Sequence, residues 1–294
     1  MRHSLLLLCL ALVLVGCQAK QASLPTLPVW QSSEGRDNPQ LGQVVDLSSG
    51  QVISPEQLVA QLIDASRVLV GEKHDNPDHH ALQLWLLRAL ASQRPQGSLL
   101  LEMLQPEQQT QVDDLAGEAH LPADLSKALA WQEGWSWQFY GPIVREALGQ
   151  HIPLLAANIS TSEMRQAYRQ PTALAGTRSN APEVRAALLQ HVREGHCGLL
   201  PESQLPAMLA VQQLRDRRIA ERLMAAPQPA LLLAGSYHVR KDLGVPLHLA
   251  DLEAQGGATV LLLAEIGTTV TATMADYVWY TAALPEQDYC AQLR

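Results

Sequence analysis

The apolar residues of this chain occur in short unbroken runs, and the segments between the runs carry helical periodicity. Runs such as SLLL, ALLLA and VLLLA do not alternate with polar residues, which is typical of strands covered on both faces. A short hairpin is predicted from 44–47 and 51–53, and six further strands are predicted at 67–70, 98–101, 152–156, 230–234, 259–264 and 278–281. Helical segments between them predict right-handed crossovers, so the expected fold is α/β with a mostly parallel β-sheet core flanked by helices.

Capping residues and prolines mark the predicted helices. Ser54, with Gln57 three residues later, predicts a helix that begins with a capping box. Longer helices are predicted at about 78–93 and 204–224 from the spacing of their apolar positions. Between about 105 and 200 the chain carries several helical patches interrupted by prolines. We interpret that stretch as a helical insertion or lid subdomain.

The chain begins with a segment that resembles a targeting signal. The apolar run from Leu5 to Val15 is too short to span a bilayer but suits the core of a signal peptide. It ends in Leu-Val-Gly-Cys, which resembles the lipobox of bacterial lipoproteins. We therefore expect residues 1–16 to be removed and Cys17 to carry fatty acids such as palmitate. Gln18, rather than Asp, favours the outer membrane. An ordinary secretory signal with a chance cysteine is the alternative.

Beyond the signal, the chain divides into a predicted tether and a folded domain that holds two cysteines. Residues 17–40 are rich in Gln, Ser and Pro and show little periodicity, so they are predicted to be a lipidated tether. Residues 41–294 form the predicted domain. An oxidising compartment permits a disulfide between Cys197 and Cys290, although two free buried thiols fit the sequence equally well.

Composition narrows the class of protein. Apolar residues make up 47% of the chain and charged residues 17%, which supplies ample material for a core. The net charge of −8 argues against a nucleic-acid-binding protein, because phosphate neutralisation needs a clustered surplus of Lys and Arg. Six Trp, six Tyr and one Phe are few, so the core must consist mostly of Leu, Ala and Val.

Polar and titratable residues directly follow four of the predicted strands. They are Glu72 and His74 after the first strand, Glu102 after the second, Asn158 after the third and His238 after the fourth. Two of these loops share the form Gly-x-x-His, beginning at Gly71 and Gly235. A single His or Gly after a strand is ordinary. Parallel sheets, however, bind ligands beyond the carboxyl ends of their strands, so four such positions at one edge predict a common functional cleft.

The chemistry of these side chains allows two interpretations. Glu72, His74, Glu102 and His238 are the ligand set expected for a divalent metal such as Zn, Mn or Fe. A metal would lower the pKa of a bound water, and Glu72 or Glu102 would act as base in a metal-dependent peptidase or esterase. Alternatively, one carboxylate and one imidazole form an acid–base pair that needs no metal.

Three further features carry weaker signals. Five aromatic residues lie within Trp131–Tyr140, which indicates a local hydrophobic cluster or, alternatively, a wall for a flat apolar ligand. Arg240 and Lys241, close to His238, could neutralise carboxylates on a ligand. Asp216 lies among three arginines within a predicted helix, which is typical of a charged, solvated helix face.

Four stretches together resemble a known family. They are GEKHDNPDHH, LLLEML, AVQQLRDRRIAERL and LLAGSYHVRKDLGVP. They are similar to the ChaN family of haem-binding bacterial lipoproteins, and the resemblance covers about residues 43–265 in order. That family belongs to a wider superfamily with Tiki/TraB-type proteins and erythromycin-esterase-like enzymes.

The resemblance implies an α/β core with a helical subdomain, haem as cofactor, and haem held between the two subunits of a homodimer. It also implies a tyrosine as axial iron ligand, for which Tyr140, Tyr168 and Tyr237 are all candidates. The basic and histidine groups expected at the haem propionates are His238, Arg240 and Lys241. For the enzymes of the superfamily, the matching positions are Glu72, His74 and His238, with Glu102.

The sequence thus supports two hypotheses. The first is an outer-membrane lipoprotein that binds haem and takes part in haem or iron uptake, with an outer-membrane haem receptor as a further expected partner. The second is a metal-dependent hydrolase that uses the Glu/His cluster.

Overall fold

A single eight-stranded sheet organises the part of the chain that the computed structural model describes, residues 23–288 and 290–291. The strands are β1 Val44–Asp46, β2 Gln51–Ile53, β3 Arg67–Glu72, β4 Ser98–Leu101, β5 Leu154–Ala156, β6 Ala230–Gly235, β7 Thr259–Glu265 and β8 Tyr277–Thr281. Their order is β2-β1-β8-β7-β3-β6-β4-β5. The strands from β8 to β5 are parallel, whereas β1 pairs antiparallel with β2 and β8. The predicted signal peptide and Cys17 lie outside the described residues.

Helices connect the strands and cover both faces of the sheet. They are α1 Pro55–Leu62, α2 Pro77–Gln93, α3 Gln109–Ala116, α4 Leu125–Ala128, α5 Trp137–Gly149, α6 Thr161–Arg169, α7 Pro182–Gly195, α8 Leu205–Ala225, α9 Ser236–Val239 and α10 Val245–Asp251. The predicted capping box of α1 is present: the Gln57 N–H donates to the Ser54 hydroxyl, and the Ser54 N–H donates to the Gln57 side chain. Ser160 and Glu163 form an equivalent box at the start of α6.

The unbroken apolar runs are explained by two core layers, one on each face of the sheet. In β4, Leu99 and Leu101 pack in the layer that includes α1, α2 and α5, whereas Leu100 faces the layer of α8 and α10. Because successive side chains of a strand point to opposite faces, a strand buried on both sides needs apolar residues at every position. The predicted α/β fold with a mostly parallel sheet is confirmed.

The stretch predicted as a helical insertion contributes to two different parts of the molecule. Its first portion packs in the core layer of α2 through α5, and β5 then joins the edge of the sheet. The helices α6 and α7, by contrast, both pack against α8. These last two helices therefore form a layer outside the main core.

Residues 23–40, the described part of the predicted tether, lie against the domain. The backbone N–H groups of Gln31 and Ser32 donate to the carboxylate of Asp78 at 2.6 and 3.0 Å. The indole of Trp85 donates to the carbonyl of Pro25 at 2.9 Å. Asp78 and Trp85 both belong to α2, so this helix holds residues 23–40 against the domain.

Two further observations bear on the predictions about the envelope. Cys197 and Cys290 form a disulfide, which decides between the alternatives that the sequence left open. No helix within residues 23–288 has both the length and the apolar character needed to cross a membrane.

We predict that Asp78→Ala loosens residues 23–40, because Asp78 is buried and accepts two backbone hydrogen bonds from that segment. The free energy of unfolding should fall by about 1–3 kcal/mol, measured by urea denaturation. Limited proteolysis should cut within 23–40 sooner than in the wild type. The exposed Asp37 lies in the same segment, and Asp37→Ala should change neither measurement. Equal behaviour of the two variants would contradict the anchoring role of Asp78.

Candidate functional site

The four strand ends singled out by the sequence are neighbours in the sheet. The strands β3, β6, β4 and β5 stand side by side and are parallel, so their carboxyl ends meet at one edge. In the register of β3 and β6, Glu72 stands opposite Gly235. After β5, the Asn158 amide donates to the backbone carbonyl of Glu102 at 2.8 Å. The sheet order therefore gathers side chains that are up to 166 positions apart in sequence.

The first group at this edge consists of His74, Glu72 and Tyr140. Nδ1 of His74 lies 2.6 Å from Oε1 of Glu72, and the Tyr140 hydroxyl donates to the same oxygen at 2.9 Å. Burial lowers the pKa of His74, but the hydrogen bond to Glu72 and its negative charge raise it more, so the net shift is upward. Burial and the charge of Glu72 hold the pKa of Tyr140 far above its usual range, so its hydroxyl keeps its proton.

The second group places His238 between two carboxylates. Its Nδ1 lies 2.5 Å from Oδ1 of Asp216, and its Nε2 lies 3.1 Å from Oε1 of Glu102. All three side chains are buried. Burial alone would lower the pKa of His238, but the two carboxylates raise it to about 10. Burial would likewise raise the pKa of Glu102, and the charge of His238 lowers it well below its usual range instead. At neutral pH this is an imidazolium held by two carboxylates.

Gly235 lies between the two groups, and the space around it is fully used. Its N–H donates to Oε2 of Glu102 at 2.9 Å. A Cβ at this position would lie 2.9 Å from the His74 ring and 3.7 Å from Oε2 of Glu102. The structure thus brings Glu72, His74, Glu102 and His238 into one cluster, and the glycine of the Gly-x-x-His loop leaves room for the His74 ring.

The cluster differs from the sequence expectations in two respects. First, no group of three or more His, Cys, Asp or Glu side chains among the described residues is arranged to hold a metal ion. The carboxylates of the predicted set hydrogen-bond to the imidazoles in two pairs instead of converging on one point. Second, the prediction that Asp216 lies on a solvated helix face is wrong. Its side chain is fully buried, because α8 turns it towards His238.

The aromatic stretch Trp131–Tyr140 packs on the core beside this cluster. Trp135 contacts the His74 ring edge-on at a centroid distance of 4.8 Å, and Phe139 stacks on His80 at 4.8 Å. The other tryptophans of the stretch pack against the layer that contains α5. The arrangement fits the local hydrophobic cluster among the two interpretations offered for this stretch.

A cavity of about 690 Å³ lies elsewhere in the described structure, between α6, α7 and α8. Its lining combines apolar residues, arginines, histidines and one tyrosine. The lining residues are Met164, Arg165, Tyr168, Arg169, His191, Val192, Gly195, His196, Met208, Val211, Gln212 and Arg215. Its volume lies within the range of ordinary small-molecule sites.

The cavity and the buried cluster share a wall. The side-chain amide of Gln212 lies 3.1 Å from Nδ1 of His238. Nε of Arg215 donates to the side-chain oxygen of Asn158 at 3.0 Å. Both residues belong to α8 and also line the cavity. This helix therefore lies between the cavity and the buried cluster and contacts both.

The three candidate tyrosines occupy different surroundings. Tyr168 lines the cavity and is 39% exposed, with its hydroxyl donating to Gln204 at 3.1 Å. Tyr140 is buried in the cluster with Glu72. The ring of Tyr237 stacks on His191, with centroids 3.3 Å apart. Of the three, Tyr168 is the one that lines this cavity.

The basic residues predicted for the propionates do not line the large cavity. Arg240 pairs with Asp242 at 2.6 Å, and Lys241 pairs with Asp276 at 2.6 Å. The arginines at the cavity are Arg165, Arg169 and Arg215, which the sequence reading did not single out. Arg165 and Arg169 are four residues apart on α6, as are Met164 and Tyr168, and this helical spacing was the available signal.

A family model and a solved structure both match this chain over most of its length. A family model described as haem-binding uptake, Tiki superfamily, ChaN matches residues 58–249. The solved structure of ChaN from Campylobacter jejuni, described as showing cofacial haem binding, is 31% identical, with a TM-score of 0.74. The match covers 80% of this chain and 95% of that one. Among curated protein sequences, none matches the chain.

Two further solved structures have lower sequence identity and lower TM-scores. A mutant of the erythromycin esterase EreC in its open conformation is 12% identical with a TM-score of 0.45, covering 86% of each chain. RRSP, an effector domain of a Vibrio vulnificus MARTX toxin, is 14% identical with a TM-score of 0.46. That match covers 81% of this chain and 39% of the other.

We predict that His238→Gln destabilises the protein by about 3–5 kcal/mol at pH 7, because it leaves two buried carboxylates without their cation. Because the pKa of His238 is higher in the folded protein than the 6.5 of the unfolded chain, its protonation stabilises the fold. This contribution is complete below pH 6.5 and is lost as the pH rises through about 10. Urea denaturation at pH 7 and 10.5 should therefore show the wild type losing most of its advantage at the higher pH. The exposed His120 is the control, and H120Q should match the wild type. A constant difference at both pH values would contradict the charge assignment.

Proposed function

Because the chain belongs to the ChaN family of haem-binding uptake proteins, we propose that it binds haem in the cavity between α6, α7 and α8. The observation that carries the proposal is the lining of this cavity. Apolar side chains, one tyrosine and three arginines line it together, and each kind suits a different part of haem.

The cavity residues fit haem in three ways. Met164, Met208 and Val211 supply apolar surface for a flat macrocycle. Tyr168 supplies an oxygen of the kind that holds haem iron in some haem proteins. Arginine pairs strongly with carboxylates. Arg165 and two further arginines line the cavity, so the haem propionates would meet positive charge there. When bound, haem would supply an iron that the oxygen of Tyr168 could hold.

The cellular setting is part of the same proposal. We propose that Cys17 carries the lipid anchor and that the protein works at the outer membrane in haem or iron uptake, where a haem receptor would be its partner. The lipobox-like sequence before Cys17 supports the anchor. The disulfide between Cys197 and Cys290 supports an oxidising compartment. The resemblance to the ChaN family, which implies haem held between two subunits, is the support for a homodimer.

We predict that purified protein titrated with haemin shows saturable binding and a shifted Soret band. Tyr168→Phe should weaken binding at least about tenfold, or about 1.4 kcal/mol, and change the visible spectrum, because the iron loses an oxygen ligand. Tyr277 lies in β8, outside the cavity, and Y277F should bind like the wild type. Absence of saturable binding in the wild type would exclude haem binding, and a normal spectrum in Y168F would exclude Tyr168 as the ligand.

A second candidate function is hydrolysis by acid–base chemistry at the first group of the cluster. The observation that favours it is the His74–Glu72 pair: the carboxylate is fully buried and orients Nδ1, while the imidazole is 44% exposed. A base held in this way could take a proton from water that attacks an ester or peptide carbonyl. This route uses the acid–base pair without requiring the metal set that the sequence suggested.

If this second function exists, His74→Ala should lower turnover of p-nitrophenyl esters or short peptides by about 10²–10⁴-fold. The raised pKa of His74 sets the sign of the pH dependence. The base must be neutral, so activity should rise with pH through a value above the usual 6.5. H120A, which changes an exposed histidine, should leave turnover unchanged. Lack of turnover by the wild type, or equal turnover by H74A, would exclude this function.

A further inference from the structure

The helix α7 divides into a packed half and a cavity-lining half. Its apolar residues Val184 and Leu188 pack with Leu209 and Leu243 in a small separate core. One to two turns later, His191, Val192, Gly195 and His196 line the cavity instead. The second half of α7 packs through Val192, which is buried, and through His191, which stacks on Tyr237, and it forms one side of the ligand site.

The segment between α6 and α7 is fixed to the main domain by Asp251 of α10. Its carboxylate accepts the backbone N–H groups of Thr177, Arg178 and Ser179 at 2.9–3.0 Å, and the Ser179 hydroxyl at 2.6 Å. These residues directly precede α7. The attachment thus holds the packed half of the helix and leaves the cavity-lining half to other contacts.

The end of α7 is fixed by the disulfide. Cys197 follows the cavity residue His196, and its partner Cys290 lies in the segment that leaves the sheet after β8. The Arg193–Glu202 ion pair is also found at this end, but Glu202 is 76% exposed, and such surface pairs contribute little. The backbone of Cys197 has a φ of 58°, a left-handed conformation that non-glycine residues keep only when their surroundings enforce it. The covalent bond is the strongest restraint on this end of the helix.

We propose that the Cys197–Cys290 disulfide is a redox-responsive latch on the cavity, and that its reduction loosens the second half of α7 and speeds release of the ligand. The ligand is haem on the strength of the function proposed above. The reductant is a dithiol. One of its thiolates attacks a sulfur of the protein disulfide and forms a mixed disulfide, which releases one protein thiolate. The second thiolate of the reagent then attacks the mixed disulfide and releases the other protein thiolate. Two electrons and two protons pass to the protein, which gains two thiols, while the dithiol becomes a disulfide. Both cysteines are partly exposed, so the bond is within reach of such a reagent.

The test compares oxidised protein with protein reduced by a phosphine, alkylated with iodoacetamide and freed of reagent before assay. Hydrogen exchange reports on α7 without any ligand, and transfer of haem to apomyoglobin reports the release rate. Reduction should speed exchange in residues 190–196 while leaving α2 unchanged, and should speed haem release about tenfold. Cys290→Ser should behave like the reduced wild type and should not respond to the phosphine. E286S changes an exposed residue of the same segment and should behave like the oxidised wild type.

The outcomes separate the latch from haem binding. If oxidised protein takes up no haem, the proposed function fails, and faster exchange in 190–196 after reduction would still support the latch. If haem binds and neither exchange nor release changes on reduction, the latch is overturned. If exchange rises equally in α2 and α7, reduction unfolds the whole domain, and the latch is likewise overturned.

Discussion

The pairing of His238 with two buried carboxylates is the interaction on which the rest of the site depends. A buried carboxylate without a partner is strongly destabilising, so Asp216 and Glu102 require a cation within hydrogen-bond distance. That cation comes from the turn after β6, whereas the carboxylates come from α8 and the end of β4. Three elements distant in sequence are thereby fixed at one edge of the sheet. The position of α8 matters most, because this helix also forms one wall of the cavity.

Much of this arrangement could be predicted because the relevant signals are local. Unbroken apolar runs predict the central strands, and the end of each run then shows which residue follows the strand. The rule that parallel strands end at one edge then placed Glu72, Glu102 and His238 together without coordinates. Parallel direction alone puts the ends of these strands at one edge of the sheet. The side chains come into contact because β3, β6 and β4 are also neighbours in the sheet, and the sequence did not supply that order.

What the sequence could not supply is the rotation of helices about their axes. Asp216 lies among arginines, and its charge pattern is the same whether it faces water or His238. The cavity shows the same difficulty, because α6, α7 and α8 follow one another in the chain, but the rotation of each helix decides which of its side chains line the cavity. Arg165 and Tyr168 become neighbours of His191 only through packing between helices. The pairing of Cys197 with Cys290 is of this kind too, since 93 positions separate them and chain length does not determine whether they meet.

The separation of the polar cluster from the cavity explains how one fold can hold both. A flat apolar ligand would desolvate any carboxylate that it covered, at a large cost in free energy. In this protein the ionised groups are paired with one another behind α8, and Gln212 and Arg215 are the contacts that pass from one side to the other. The cavity therefore offers apolar surface and cationic arginines, while the cluster fixes the helix that carries them. The pair of His238 and Asp216 therefore helps to fix the same helix whose other side chains line the cavity.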